Sequence, residues 1–378
     1  MKHRLCETWK EKARRNLCIA FSALIKFGIY GLLLFWFSLG EIVAATSVNQ
    51  TADIVYSARY YKRGTQPSHY KIWLTDTGGL RHVQVTSGNS EDHSPIWMED
   101  GKNILFVRET GKTRSLCTVN EQGGPVTELA RLPPGYLFIE SVSPNRRMLV
   151  YLVHDAFSKL ILFDIAARQE RCLGPGYQTA WSLDSRHLYV TRWEDSESSA
   201  HILDVVSSER VPLKGDIRSA AFLDNETLAA ELFAKQGQSA RLAVFHIDGT
   251  RQHEVPLSFT WKDDLSPFAD NMFAIPGDTN NIYYGRHAGN STAGPAQEFY
   301  LMNLKGGVPI VVATGRDLVW APDHRSFITG DGRSLDRLDR KRNVWVSPLL
   351  VVSLPNGEVL PIVRGLVSVG GFDWRRTL

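Results

Sequence analysis

Beyond residue 52, apolar and polar residues alternate in short runs closed by turn-forming pairs, and no long segment keeps a helical period. Residues 93–109, HSPIWMEDGKNILFVRE, show the unit. A strand ends at Trp97, the Asp100-Gly101 pair supplies the positive φ a tight turn needs, and Ile104 to Val107 alternate in the next strand. The same hairpin returns at residues 140–155, 179–195, 219–233, 272–287 and 318–332, each with an anchor, a polar turn and a strand. A second hairpin follows each first one, as in SLCTVNEQGGPVTELA and HILDVVSSERVPL.

Each repeat thus supplies four strands, and the anchors Trp97, Val142, Trp181, Phe222, Phe273 and Trp320 recur at roughly 40 to 50 residues, the period of a propeller blade. The chain ends on GGFDWRR, with an anchor at Trp374 and no hairpin after it. Its first strand, ADIVYSARYY, has no anchor before it. Pairing of residues 53–60 with 371–375 is therefore expected to complete a blade and close the ring, which removes exposed sheet edges. The predicted fold is an all-β, seven-bladed β-propeller over residues 46–378. Six blades is the alternative, because the 272–287 unit is degenerate. Trp97, Trp181, Trp320 and Trp374 are expected between blades, and the charged run DGRSLDRLDRKRN at 331–343 is expected to be an extended hairpin loop.

Residues 1–45 are compositionally separate. A basic stretch containing Lys2, Arg4, Lys10, Lys12, Arg14, Arg15 and Lys26 precedes the apolar run FGIYGLLLFWFSLG, and Val43 and Ala45 suit a signal-peptidase site. This is the pattern of a secretory signal peptide; the alternative is a single membrane anchor over residues 27–45. Either one exports the rest of the chain, so a periplasmic or extracytoplasmic location is expected, with membrane attachment only through an uncleaved leader. The leader holds seven of the 43 Lys and Arg and three of the 40 Asp and Glu, which leaves 36 basic against 37 acidic residues. The +3 charge of the chain therefore belongs to the leader, and nothing marks a nucleic-acid partner. Cys117 and Cys172 fall in predicted strands and read as two buried thiols.

The pattern P-x-W-x-x-D-G-K-x-I-x-F, carried by Pro95, Trp97, Asp100, Gly101, Lys102, Ile104 and Phe106, resembles the repeats of TolB-like propellers. The copies at Trp181 and Trp320 match well, and the resemblance covers almost all of residues 53–375. It implies the fold and leaves the activity open, since related propellers serve as periplasmic scaffolds, gating domains of serine peptidases and lyases. TolB has an α/β domain before its propeller, whereas here about seven residues separate Ala45 from the first strand. No partner-binding residue carries over.

A GxSxG elbow, HExxH, CxxC, a Walker loop and a strand-following GxGxxG are all missing, so no catalytic residue, metal ligand or cofactor is assigned. Candidate ligand-binding residues come instead from position. Loops entering the inner strands of a propeller rim one channel mouth, and Glu91, Asp92 and His93 begin such a strand. Equivalent positions elsewhere are Glu140, Tyr177, Gln178, Arg218, Asp270, Arg316 and Asp317. The expected site is Glu91, Asp92, His93, Tyr177, Arg218 and Asp317 at one mouth, a mixed-charge ring suited to binding a polar ligand or peptide end. The expected function is a non-catalytic binding or scaffold module for a protein, peptide or envelope component. The alternative is a single-domain polysaccharide lyase of the oligogalacturonate type, whose histidines and Gln surround a metal; here His93 is the one candidate.

Overall fold

The computed structural model describes residues 52–62, 67–155, 157–194, 197–232, 239–260, 271–287, 297–331, 334–337, 343–354 and 356–376. The leader, residues 1–45, lies outside the described residues, as does Asp270. The described residues form strands and turns without a helix. They assemble into five four-stranded sheets, one seven-stranded sheet and a two-stranded hairpin, all with antiparallel neighbours. In the second sheet, Glu91–Trp97 pairs with Asn103–Thr110, which pairs with Thr113–Asn120 and then Thr127–Arg131. The first strand of each such set lies innermost, beside the inner strands of neighbouring sheets.

The polar turn has a recurring physical cause. Asp100 accepts a hydrogen bond from the backbone N–H of Lys102 at 2.8 Å, closing an Asx turn. Asn145 does the same to Arg147, Asp184 to Arg186, Asp224 to Glu226, Asp278 to Asn280 and Asp323 to Arg325, at 2.8 to 3.1 Å. Neighbouring turns are also tied together: Asn145 N donates to Ser185 Oγ at 3.0 Å, and Asp184 N to Asn225 Oδ1 at 2.8 Å. A short Asp or Asn of the repeat therefore satisfies backbone donors in the six turns that follow these inner strands.

The core lies between sheets. Val55, Ile72 and Leu74 of the first sheet pack with Trp97, Ile104 and Phe106 of the second. Successive clusters continue in chain order, and the last joins Ile328, Leu349 and Val351 back to Ile54, Tyr56 and Trp374. Trp97 is 1% exposed, and burying roughly 200 Å² of indole is worth about 5 kcal/mol of gross transfer energy. Trp181 and Trp374 are buried as well, whereas Trp320 is half-buried and packs edge-on against Tyr283 and Phe327.

Both ends of the described chain meet in one sheet. Ile54 pairs with Trp374 and Tyr60 with Val367, so the last strand, Val367–Trp374, begins earlier than residue 371. Gly371, at φ 151°, permits the close approach to the second sheet: a Cβ there would sit 3.1 Å from Ser94 Cα. The seam is reinforced by Trp97, whose backbone N donates to Asp373 Oδ2 at 2.8 Å and whose Nε1 donates to Asp53 O at 3.1 Å. The Arg375 guanidinium stacks 4.1 Å from the Trp97 ring and pairs with Glu121.

Two sequence expectations are refined. The 331–343 run contributes to a small hairpin, Ser334–Arg337 against Asn343–Val346; residues 332–333 and 338–342 lie outside the described residues. Cys117 is buried, and burial pushes its thiol up to about 11, but Cys172 is exposed rather than buried. It lies in the outermost strand Gln169–Pro175, where no further sheet strand covers it.

Candidate functional site

A cavity of about 860 Å³ lies where the inner strands end. Its wall draws on Ser94, Glu140, Arg146, Trp181, Asp317 and Arg376 among others, so segments distant in sequence converge there. Much of the surface is apolar, from Ile96, Ile139, Trp181, Phe273, Trp320 and Phe372. Against it stand a few charged groups: Glu140, Arg146, Asp317, His324, Asp373 and Arg376. Apolar walls with a small set of convergent polar groups are the usual make-up of a ligand site.

Glu140 lies in the inner strand Tyr136–Val142, and its Oε1 accepts from Thr179 N at 3.1 Å across to the next sheet. Protein surrounds the carboxyl although the side chain keeps surface facing the cavity. Burial raises its pKa to about 7, and the Thr179 hydrogen bond opposes the shift only in part.

The basic groups come from turns. Arg146 and His324 directly follow the Asx residues Asn145 and Asp323, with φ of 61° and 56°; Gly101 occupies the equivalent place after Asp100. A side chain in this left-handed conformation costs on the order of 1 kcal/mol relative to glycine. Arg146 Nη2 pairs with Asp373 Oδ1 at 2.9 Å, while its buried Nε has no hydrogen-bond partner. Arg376 Nη1 donates to Pro144 O at 3.0 Å. Burial and the neighbouring Arg146 lower the Arg376 pKa to about 10, so the group stays charged. Burial, and then Arg376, also lower the pKa of His324.

Of the residues singled out from sequence, Asp317 lines this cavity. It sits at φ 59° within the register shift between Arg316 and Val319. Glu91, Asp92 and His93 lie at the start of Glu91–Trp97 and form a separate network. Glu91 accepts from Arg59 at 2.9 Å, His69 Nδ1 at 2.8 Å and Tyr70 N at 2.6 Å. Burial alone would raise its pKa, but these donors hold it below the usual range. Asp92 is fully buried in a two-pronged ion pair with Arg108, at 2.8 and 2.9 Å, with Lys71 Nζ at 3.6 Å. Its pKa is likewise held down by Arg108 against the effect of burial. His93 packs 4.9 Å from the Tyr70 ring, and burial lowers its pKa.

Tyr177 is half-buried beside Gln178–Trp181, and its backbone N donates to Thr191 O at 3.1 Å. Arg218 belongs to Ile217–Phe222, and its side chain lies outside the described residues. Arg146, His324 and Arg376 were not singled out from sequence. The available signal was the replacement of the turn's Asp-Gly by Asn-Arg at 145–146 and Asp-His at 323–324. Among the described residues, no group of three or more His, Cys, Asp or Glu is placed to hold a metal ion.

Antiparallel sheets that pack on one another in chain order, with the first and last described strands paired in one sheet, define a β-propeller. No family model and no curated protein matches the chain. Among solved structures it is similar to TolB from Acinetobacter baumannii, with TM-score 0.51 and 13% identity over 88% of this chain and 69% of that one. An oligogalacturonate lyase in complex with manganese aligns with TM-score 0.52 and 14% identity, covering 83% of this chain and 86% of the lyase. A puromycin-hydrolyzing peptidase from Mycobacterium tuberculosis aligns at 0.55 and 13% identity, over 83% of this chain and 52% of the peptidase. At these identities the likeness is one of fold.

Proposed function

We propose that the chain is an exported, seven-bladed propeller that binds a protein, peptide or cell-envelope component and carries out no chemistry on it. The observation that carries this reading is the 860 Å³ cavity at the ends of the inner strands, where a few charged groups face apolar walls on a frame of hydrogen-bonded turns. A site preformed on rigid sheets binds without an ordering cost, and its separated charges suit recognition. The seven-blade count is supported by the seven-stranded sheet. Ile310–Trp320 pairs through its first half with Gln297–Asn303 and through its second with Ser326–Gly330, as two four-stranded blades sharing one long strand would. Export rests on residues 1–45, and a periplasmic or extracytoplasmic location follows from it.

The lyase reading is less well supported, because its metal-binding histidines have no counterpart cluster among the described residues. Two measurements test the proposal together. Affinity capture from an envelope extract should retain a defined partner on the native protein and lose it when Trp181 and Trp320 are both changed to Ala. Incubation with manganese and oligogalacturonate should give no unsaturated product; product formation would replace the binding reading with the lyase.

A further inference from the structure

Two of the turns that ring the cavity place a long basic side chain where backbone conformation favours glycine. Ser185, a third positive-φ residue of this kind, has a structural use, because its hydroxyl accepts from Asn145 N at 3.0 Å. Arg146 has part of one, in its ion pair with Asp373. The His324 backbone N donates to Ala321 O at 3.0 Å, but its ring makes no hydrogen bond or ion pair with any described residue, yet the residue keeps φ 56° and lines the cavity. Backbone strain held for a side chain without a structural partner points to a functional use.

Arg376 lies beside both. Asp373 pairs with Arg146 through Oδ1, and its Oδ2 accepts from Trp97 N. Arg376 itself donates to Pro144 O and forms no ion pair with any described carboxylate. The Arg376 side chain is exposed, and its guanidinium stands next to that of Arg146 at the cavity without a carboxylate of its own, so it can donate to a bound anion. Planar two-pronged donation by arginine fits a carboxylate. The wall beyond, from Trp181, Phe273, Trp320 and Phe372, gives an apolar body a place to bury.

Resting on the binding reading above, we infer that the cavity takes a ligand with a free carboxylate on an apolar body, the carboxylate held by Arg376 with Arg146 and His324 beside it. The C-terminal residue of an apolar peptide has this chemistry, and so does an acylated apolar amino acid. Both place one negative charge next to a side chain that the aromatic wall can cover.

The test uses the exported portion of the chain and three probes read by fluorescence anisotropy or competition. They are a labelled pentapeptide of alanines ending in leucine as the free acid, the same peptide as its C-terminal amide, and unlabelled N-acetyl-leucine. The free acid should bind at least tenfold more tightly than the amide. Arg376→Gln should remove that preference by weakening the free acid at least tenfold. His324→Gly should weaken the free acid severalfold with an unchanged or higher melting temperature, since glycine relaxes the turn; a merely structural His324 would leave binding unaffected. Competition by N-acetyl-leucine at similar affinity would identify a small acid as sufficient, whereas its failure to compete would assign the site to peptide ends; each outcome supports a carboxylate site. Equal binding of acid and amide, no binding of either, or an Arg376→Gln protein that still prefers the acid would overturn the inference. In those cases capture of an envelope partner by the native protein, retained by Arg376→Gln, would leave the binding reading standing.

Discussion

Glu140 offers the sharpest test of the cavity electrostatics, because the carboxyl is surrounded by protein and has no cationic partner assigned to it. Its pKa of about 7 against an ordinary 4.5 is a difference of about 2.5 units, which corresponds to about 3 kcal/mol. In a raised carboxyl the folded state holds the proton more tightly. Its contribution to stability is therefore fully present below about pH 4.5 and is lost as pH rises through about 7. Glu140→Gln keeps an oxygen to accept from Thr179 N and removes the titration. Relative to native protein, the variant should be equally stable at pH 4, gain stability progressively between pH 4.5 and 7, and level off above that at up to about 3 kcal/mol. Paired denaturant melts across this range provide the measurement, since a change in midpoint at constant slope reads stability directly. A stability difference that is flat with pH, or one in which the variant loses ground as pH rises, would refute the placement of Glu140 in a desolvating wall.

Asp92→Ala should destabilise the protein by about 3 kcal/mol in chemical denaturation, because it leaves Arg108 and Lys71 without their buried counterion. An unchanged midpoint would contradict that ion pair. Asp373→Ala should cost a similar amount, roughly 2 to 4 kcal/mol, by stranding Arg146 and the Trp97 N–H together. Its effect should be non-additive with Arg146→Ala in a double-mutant cycle. Deleting residues 371–378 removes Trp374 and the partners of Ile54 to Ser57, so the truncated chain should lose on the order of 4 kcal/mol or more and aggregate through the freed edge. A melt that superimposes on the intact protein would sink the closure. The mass of the mature N-terminus should correspond to cleavage after Ala45 or to an intact leader in the membrane fraction; a soluble cytosolic protein would contradict export.

The repeat was legible because its parts obey local rules. Asp100-Gly101 marks a turn whatever surrounds it, and the same Asx hydrogen bond at Asp184, Asp224 and Asp323 explains why an acidic residue returns at that place. The meeting of residues 54–60 with the last strand could be anticipated from an anchor without a hairpin at one end and a strand without an anchor at the other. The site was less legible. Glu91, Asp92 and His93 read as an exposed charged rim, but the cross-strand neighbour of Asp92 is Arg108, and together they form a buried pair. Strand register decides that outcome, and a list of polar residues at strand starts does not contain it. Arg146 and His324 were passed over for a related reason. In a turn they look like ordinary polar residues, and their meaning appears only with the positive φ and the shared cavity. Cys172 escaped because alternation in an outer strand does not say whether anything covers its far side.

We propose that this propeller engages its partner at the cavity where the inner strands end. Site-specific photo-crosslinking in the native host tests it most directly. A photoreactive residue at Leu183 or Pro322, both on the cavity wall, should yield a discrete adduct, and one at Val359, 45% exposed on the outer strand Glu358–Val363, should not. Adducts formed from Val359 alone, or from none of the three positions while the partner still co-purifies, would place the partner's binding surface outside the cavity.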